Sequence, residues 1–188
     1  MAMLKVVGLD PSLRNWGIAA GTLNTETGQL TISTLRVTQT KEVKGKQVRQ
    51  NSDDLRAAKE LMDGVLPFLE QANLIFVEVP VGSQSARAMA SYGICVGVLG
   101  AIRAHGTPFF EVTPTEVKKA TVGSKTATKE EMISWAMKAH PNAPWPMQTI
   151  RGEQKVIAGT AEHMADATAA IHAGLLTNEY KQLAAMTR

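Results

Sequence analysis

Three apolar runs near the start of the chain predict three strands, over residues 3–9, 16–23 and 29–37. Clusters of turn-forming residues separate them, from Asp10 to Asn15 and from Asn24 to Gly28. Strands that follow one another through short turns pair antiparallel. The pattern therefore predicts an antiparallel hairpin that continues into a three-stranded meander.

A polar, lysine-rich stretch over residues 38–51 interrupts this pattern, and we expect a mobile loop there. Ser52 is a candidate helix N-cap, followed by Asp53 and Asp54 in the first turn, where carboxylates suit the helix dipole. The helix is expected to end near Glu70 and to bury one face. The apolar residues at helical spacing on that face are Leu55, Ala58, Leu61, Met62, Val65 and Leu69.

The middle of the chain alternates strand and helix patterns. Residues 74–79 predict a short buried strand that Pro80 ends, and residues 108–112 predict a final strand. Between them, residues 83–105 predict a helix rich in small side chains, which would let another backbone approach closely. That backbone belongs either to its own sheet or to a partner subunit. The small residues are Ala86, Ala88, Ala90, Gly93, Gly97, Gly100 and Ala101.

Helix patterns dominate the C-terminal part. Residues 113–116, Thr-Pro-Thr-Glu, have the N-cap, N1-proline and N3-acid pattern of a helix start. Further helices are expected over residues 129–140 and 160–176, with a loop over residues 142–154 between them. A short helix should follow Asn178.

The order of these elements predicts an α/β fold with a mixed five-stranded sheet flanked by helices. Its first strands would be antiparallel, and later strands would be parallel because helical crossovers lead to them. At 188 residues, 44% hydrophobic and 20% charged, the chain suits one domain over residues 1–188 with a sizeable core.

The formal net charge of +3 is only mildly basic, so its distribution matters more than its total. Basic residues cluster in two stretches, each of which could simply be a solvated surface. The first stretch contains Arg36, Lys41, Lys44, Lys46 and Arg49, and the second contains Lys118, Lys119, Lys125 and Lys129.

The single cysteine, Cys95, excludes an intramolecular disulfide and any multi-cysteine zinc site. It lies among apolar, glycine and alanine residues, so we expect an inert core thiol. No apolar stretch reaches the roughly 18 residues of a membrane span, and no secretory signal pattern opens the chain. We therefore expect a soluble, intracellular protein without a membrane partner.

Two carboxylates close predicted buried strands. Asp10 ends the run over residues 4–10, and Glu78 ends the run over residues 74–78. An acid in this position lies at the edge of the sheet, where ions and substrates can reach it. These two residues are therefore candidate metal ligands.

A histidine and an aspartate add to this set. His163 and Asp166 are three residues apart on a predicted helix, so they share a face, which neighbouring apolar residues turn towards the sheet. Alone, such a pair is more often a local hydrogen bond than a metal site. Glu162 competes as a candidate but would point about 100° away from His163. Combined with two strand-end acids, the pair favours a magnesium or manganese site for phosphoryl transfer.

Four blocks in order resemble the RuvC family of Holliday junction resolvases, within the RNase H-like and retroviral-integrase superfamily. They are the segment GLDPSLRNWG over residues 8–17, the strand ending in Glu78, the segment VKKATVG over residues 117–123, and the His-x-x-Asp pair beginning at His163. The match runs from about residue 3 to residue 175. The resemblance implies an RNase H-like fold.

The resemblance also implies an activity, that of a crossover junction endodeoxyribonuclease in DNA recombination and repair. It would act as a homodimer on four-way branched DNA, make paired symmetric nicks that leave 5′-phosphates, and use Mg²⁺ or Mn²⁺, two ions per active site. Such an enzyme would work in the cytoplasm of a bacterium or of a phage-infected bacterial cell.

By motif position, the resemblance assigns residues to roles. The metal-binding and catalytic set would be Asp10, Glu78, His163 and Asp166, with His163 either a ligand or a proton carrier. The DNA-binding residues would be Arg14, Lys118, Lys119, Lys125 and Lys129. The small-residue helix over residues 83–105 is the expected dimer interface.

Two segments depart from the family pattern. Where familiar members carry an aromatic side chain a few residues after the second acid, this chain has Pro80, Val81 and Gly82. The segment over residues 38–51 is longer and more basic than in familiar members, which suggests an additional DNA-binding arm.

Three alternatives compete with a resolvase. Gly8 to Asp10 followed by Gly17 also resembles the phosphate-binding turn of the actin and sugar-kinase superfamily, but those ATP-binding proteins pair two domains and carry a second glycine-rich loop. A nuclease of the same fold could cut branched DNA generally, or RNA–DNA hybrids. A non-catalytic junction-binding module would lack one of the four ligand residues, and all four are present.

Overall fold

The structure of the protein is a computed structural model that describes residues 3–43, 45 and 49–186. Lys44 and Lys46, two members of the first basic stretch, lie outside the described residues. The strands are β1 (Met3–Asp10), β2 (Asn15–Asn24), β3 (Leu30–Gln39), β4 (Leu74–Glu78), β5 (Phe110–Val112), β6 (Met147–Ile150) and β7 (Glu153–Val156). The helices are α1 (Gln50–Leu69), α2 (Ala86–Ala104), α3 (Pro114–Thr121), α4 (Lys129–Ala139), α5 (Ala158–Gly174) and α6 (Asn178–Met186).

The first five strands form one mixed sheet in the order β3-β2-β1-β4-β5. The pairs β1–β2 and β2–β3 are antiparallel, whereas β1–β4 and β4–β5 are parallel. Crossovers through α1 and α2 lead to β4 and β5, as parallel pairing requires. The predicted α/β fold with a five-stranded mixed sheet is therefore confirmed.

Helices cover both faces of the sheet, and alternate residues of each strand supply the two cores. On one face Val6 and Phe76 pack with residues of α5 such as Ile171. On the other face Leu9 and Val77 pack with residues of α1 and α2. Because β1 is buried on both sides, its sequence is apolar almost throughout, as a central strand requires.

Three glycines let α5 lie directly on the sheet. A Cβ at Gly8 would come within 2.0 Å of the Ala167 carbonyl oxygen, and one at Gly17 within 2.1 Å of the His163 carbonyl oxygen. On the helix itself, a Cβ at Gly174 would lie 2.0 Å from the ring of Phe76. The absence of these side chains therefore sets both the distance and the register between α5 and the sheet.

The start of α1 differs from the prediction. The helix begins at Gln50, and Ser52 is not its N-cap. Arg49 is the N-cap and makes no side-chain capping bond. Leu55, predicted to be buried, is 73% exposed. Leu61, Val65 and Leu69 are buried as predicted, but nearer the start of the helix the buried stripe passes through Ala57, about 200° around the helix from Leu55.

A two-stranded hairpin, β6–β7, occupies most of the segment predicted to be a loop over residues 142–154. Arg151 and Gly152 form its turn with φ values of 53° and 83°, the left-handed conformation that tight hairpin turns need. Seven of its eight strand residues are exposed, so no alternation of apolar and polar residues marks the strands. The hydrophobic pattern therefore could not reveal them.

The small-residue helix α2 starts at Ala86, later than predicted, with Ser85 as its N-cap. It packs on the sheet through Cys95 and three larger side chains, Val98, Leu99 and Ile102. Among the described residues, no atom lies within 4 Å of a Cβ placed on Gly93, Gly97 or Gly100. These glycines therefore face away from the sheet, and the alternative that they admit the sheet's backbone is wrong.

Two local predictions, a helix start and a buried thiol, are confirmed. Thr113 and Glu116 form the predicted reciprocal capping box at the start of α3. Cys95 is fully buried, and burial raises the pKa of its thiol to about 12, as suits an inert core residue. Among the described residues, no helix combines the length and apolar character needed to cross a membrane.

Candidate active site

The candidate site lies at the edge of the sheet where β1 and β4 end. These strands are parallel neighbours, with Leu9 paired to Val77, so the next residues, Asp10 and Glu78, emerge side by side. Parallel neighbours are about 4.8 Å apart, which places both carboxylates in one small region. The strand register therefore brings together two acids that are far apart in sequence.

Helix α5 supplies the histidine and the third acid. Its His163 backbone rests on Gly17 of β2, and His163 Nδ1 lies 2.9 Å from Asp10 Oδ2, within hydrogen-bonding distance. Asp166 follows one turn later and interacts electrostatically with both Asp10 and Glu78. The structure thus places all four predicted site residues in one cluster.

The acids of this cluster are partly buried and repel one another. Burial raises the pKa of Glu78 to about 9, and the nearby charges of Asp10 and Asp166 contribute further. Burial likewise raises the pKa of Asp166 to about 7. Burial also raises the pKa of Asp10, whereas the hydrogen bond with Asp10 raises the pKa of His163. The site therefore concentrates acidic groups whose ionised forms are poorly solvated.

This donor set suits a hard divalent cation. Carboxylate oxygens are the preferred ligands of Mg²⁺ and Mn²⁺, and a bound cation would offset the repulsion among the acids. In the part of the chain that the structure describes, no three His, Cys, Asp or Glu side chains form a ready-made metal site. The Asp10 carboxylate is turned towards His163 instead. The acids would therefore have to rotate to surround an ion.

Basic residues border the cluster. The positive charge of Lys118 lowers the pKa of both Glu78 and Asp166, in each case by less than burial raises it. Lys129 Nζ lies 2.6 Å from Glu162 Oε1, so this glutamate, which sequence reasoning treated as a competing ligand, forms an ion pair at the rim. Two further lysines were predicted to contact DNA and are exposed, namely Lys119 and Lys125.

Arg14, also predicted to bind DNA, is held by the protein. Its Nη2 donates to Asp53 Oδ2 at 3.1 Å, and its Nη1 donates to Thr40 Oγ1 at 3.3 Å. Sequence reasoning gave Asp53 and its neighbour Asp54 only a helix-dipole role and missed these contacts. Asp53 precedes Ala57 by four residues, which places it on the stripe that α1 buries, and this spacing was the available signal.

We expect Glu78→Gln to stabilise the metal-free protein at neutral pH. The pKa of Glu78 is about 9 in the folded protein and 4.5 ordinarily, so between these pH values the folded protein holds a proton that the unfolded chain has released. The free energy of unfolding therefore falls as pH rises from 4.5 towards 9. Replacing it should raise the free energy of unfolding by about 1–3 kcal/mol at pH 8, or a few degrees in Tm. At pH 4.5 the difference should be small.

Thermal unfolding in chelator at pH 4.5 and pH 8 measures this effect. Glu70→Gln, at an exposed position just beyond α1, is the matched control and should leave Tm unchanged. Adding Mn²⁺ should raise the Tm of the original protein more than that of Glu78→Gln, because a ligand is missing in the variant. An equal or lower Tm for Glu78→Gln at pH 8 would show that burial and the neighbouring acids do not make the Glu78 carboxylate destabilising.

The fold and the site define a class: an α/β protein of RNase H-like architecture with a partly buried acid cluster at the sheet edge. The solved structures that share this fold include two of RuvC. T. thermophilus RuvC in complex with a Holliday junction substrate aligns with a TM-score of 0.60 and 19% identity, over 90% of this chain and 92% of that chain. A second Thermus thermophilus RuvC structure aligns with a TM-score of 0.59 and 22% identity, with the same coverage. This chain therefore has the fold of RuvC. No protein-family model matches the sequence, and no curated protein sequence does.

Proposed function

We propose that the protein is a divalent-metal-dependent endonuclease, one nuclease domain over residues 1–188, that resolves Holliday junctions. It would make paired symmetric nicks and leave 5′-phosphates. One observation carries the proposal: three partly buried acids and a histidine meet at the sheet edge of a fold shared, over 90% of the chain, with a protein solved on a Holliday junction substrate.

Asp10, Glu78 and Asp166 would hold two Mg²⁺ or Mn²⁺ ions, whose chemistry is to activate water and to neutralise charge on the phosphate and the leaving 3′ oxygen. His163 Nδ1 is engaged with Asp10, which leaves Nε2 to accept a proton from an incoming water. The hydrogen bond with Asp10 raises the pKa of His163, so its imidazole is a stronger base than usual.

Basic side chains at the rim would hold the DNA backbone through contacts that do not depend on sequence. Lys118 is close enough to Glu78 and Asp166 to affect their pKa values, so a phosphate that it contacts would lie beside the acids. The other residues in this role are Arg14, Lys119, Lys125 and Lys129. Arg14 and Lys129 would do so from within ion pairs, to Asp53 and Glu162.

Two nicks placed symmetrically need two active sites at a fixed separation, which a two-fold dimer supplies. The outward face of α2 is the proposed contact between subunits. It combines Gly93, Gly97 and Gly100, which leave room for a close approach, with the exposed apolar side chains of Met89 and Val96. Apolar side chains exposed together with small residues suit burial against a second copy.

The decisive experiment is cleavage of a labelled four-way junction beside linear duplex, forked DNA and RNA–DNA hybrid, each with Mg²⁺, Mn²⁺ or chelator. Paired symmetric nicks confined to the junction would support the proposal. Cutting spread over forks and hybrids would favour a broader nuclease of the same fold. If no substrate is cut in a metal-dependent way, the resolvase and the broader nuclease are both wrong, and the ATP-binding alternative is favoured.

We expect Lys118→Ala to weaken junction binding and cutting together. Loss of one phosphate contact should weaken the salt dependence of binding. The negative slope of log K against log salt should shrink in magnitude by about 0.9. Binding measured at several salt concentrations in chelator tests this. Lys138→Ala, at an exposed position near the far end of α4, is the matched control. An unchanged slope for Lys118→Ala would contradict the phosphate contact.

A further inference from the structure

Two adjacent carboxylates in α1, which we call the α1 acid pair (Asp53 and Asp54), are surrounded by arginines. The Asp53 side chain is 1% exposed and accepts hydrogen bonds from Arg56 at 2.6 Å and from Arg14 at 3.1 Å. Asp54 is 11% exposed and accepts two bonds from Arg87, at 2.9 and 3.0 Å. These arginine hydrogen bonds lower the pKa of both acids, which therefore stay ionised at neutral pH. Since buried carboxylates are costly without partners, the arginines are held firmly.

Two of these arginines lie in, or directly after, the loops that follow the strand-end acids. Arg14 lies four residues after Asp10, in the turn between β1 and β2. Arg87 is the second residue of α2, directly after the segment over residues 79–85 that follows Glu78. The two acids of the pair are consecutive on one helix. A single turn of α1 is therefore bonded to the turn that follows Asp10 and to the start of α2, where the loop that follows Glu78 ends.

The same turn of α1 is bonded to the segment after β3. The backbone N–H of Val43 donates to Asp53 at 3.4 Å, and Arg56 donates to the carbonyl oxygen of Lys41. Thr40 donates through its hydroxyl to the carbonyl oxygen of Leu13 at 2.6 Å, within the turn that follows β1. Three separate chain segments thus depend on the α1 acid pair for their relative positions.

We propose that Asp53 and Asp54 are positioning residues: through Arg14 and Arg87 they fix the two loops at the rim of the active site, so that a DNA strand meets Asp10 and Glu78 in one alignment. The inference rests on the proposed function, because alignment matters only for a strand that is cut. Reacting groups must be held closely, and a displacement of about 1 Å can cost on the order of 100-fold in rate.

Simple electrostatics predicts a different result. Removing a negative charge beside a DNA-binding surface strengthens binding, and would leave or improve the cutting rate. A positioning role predicts instead that affinity and cleavage rate change differently. In Asp53→Asn and Asp54→Asn, junction affinity should be unchanged or higher, whereas the cleavage rate with enzyme in excess should fall about 10- to 100-fold.

The experiment compares these variants with the original protein on a four-way junction. Affinity is measured in chelator, where cutting is prevented, and the single-turnover rate is measured in saturating Mn²⁺. Asp63→Asn is the matched control, because Asp63 lies on the same helix in an exposed pair with Lys59 and should change neither quantity. Combining Asp53→Asn with Arg14→Ala should cost little more rate than the slower single variant, since both break one contact.

Three results would overturn the inference. The first is a cleavage rate for both acid-pair variants equal to that of Asp63→Asn. The second is a parallel fall in affinity and Tm, which marks general unfolding. The third is a rate for the double variant equal to the product of the separate effects of Asp53→Asn and Arg14→Ala, which marks independent roles. If neither Asp variant folds, Arg87→Lys keeps the positive charge but breaks the paired bonds to Asp54, and it should show the same difference between affinity and cleavage rate.

A second measurement separates the inference from the proposed function. Hydrogen exchange of the unliganded protein should become faster in residues 11–15 in Asp53→Asn, and in residues 79–87 in Asp54→Asn. Unchanged exchange in both segments would overturn the positioning role even if the enzyme cuts junctions. Absence of cutting by the original protein would instead overturn the proposed function, whatever the exchange shows.

Discussion

Asp10→Asn is expected to reduce the rate of junction cleavage by at least about 1,000-fold, which corresponds to about 4 kcal/mol of transition-state stabilisation. Asp10 sits at the meeting point of the cluster, beside Glu78 at the sheet edge and hydrogen-bonded to His163. The amide keeps the shape of the side chain but removes the charge that would hold a cation. Single-turnover cleavage in saturating Mg²⁺ or Mn²⁺ measures the loss.

Binding should separate this loss from a structural one. Junction affinity of Asp10→Asn, measured in chelator, should stay within about twofold of the original protein, because the basic rim is untouched. Its Tm should not fall, since one of several mutually repelling acids has been neutralised. Loss of binding together with a lower Tm would show that Asp10 is structural. Full cleavage activity would remove Asp10 from the active site altogether.

Gly8→Ala is expected to damage stability and activity together. The new Cβ would lie 2.0 Å from the Ala167 carbonyl oxygen and 2.7 Å from Ile171 Cγ1, so α5 must move away from the sheet. We expect a loss of about 3 kcal/mol in the free energy of unfolding, which is several degrees in Tm. Because α5 carries His163 and Asp166, the cleavage rate should also fall by on the order of 100-fold.

Thermal unfolding and single-turnover cleavage together test this prediction. Gly159→Ala is the matched control, because it adds the same methyl group to α5 where nothing lies within 4 Å of it among the described residues. Alanine favours a helix over glycine, so this control should be as stable or slightly more stable. Equal effects of the two variants would mean that the contact at Gly8 does not set the position of α5.

Much of the fold was predictable because it depends on local patterns. The first three strands lie within two residues of their predicted ends, because each is a run rich in apolar and β-branched residues bounded by turn-forming or polar residues. The capping box at Thr113 was also readable, because both partners are three residues apart in sequence. Exposed structure was not: the β6–β7 hairpin buries almost nothing and leaves no hydrophobic pattern.

The candidate site shows the same division. Carboxylates at the ends of apolar runs, and a histidine three residues before an aspartate on a helix, marked Asp10, Glu78, His163 and Asp166 from sequence alone. That these side chains share one cluster depends on the parallel register of β1 with β4 and on glycines that admit α5. Both are contacts between residues far apart in the chain, which local patterns do not encode.

By itself, the sequence determined which segments form the five-stranded sheet and the helices around it, which acids stand at strand ends, and the order of motifs that resembles a resolvase. Only the tertiary structure decided which groups are partners: His163 with Asp10, Lys129 with Glu162, and the α1 acid pair with Arg14 and Arg87. The physical reason is that secondary structure follows from neighbouring residues, whereas the pairing and pKa of a buried charge depend on what folding brings beside it.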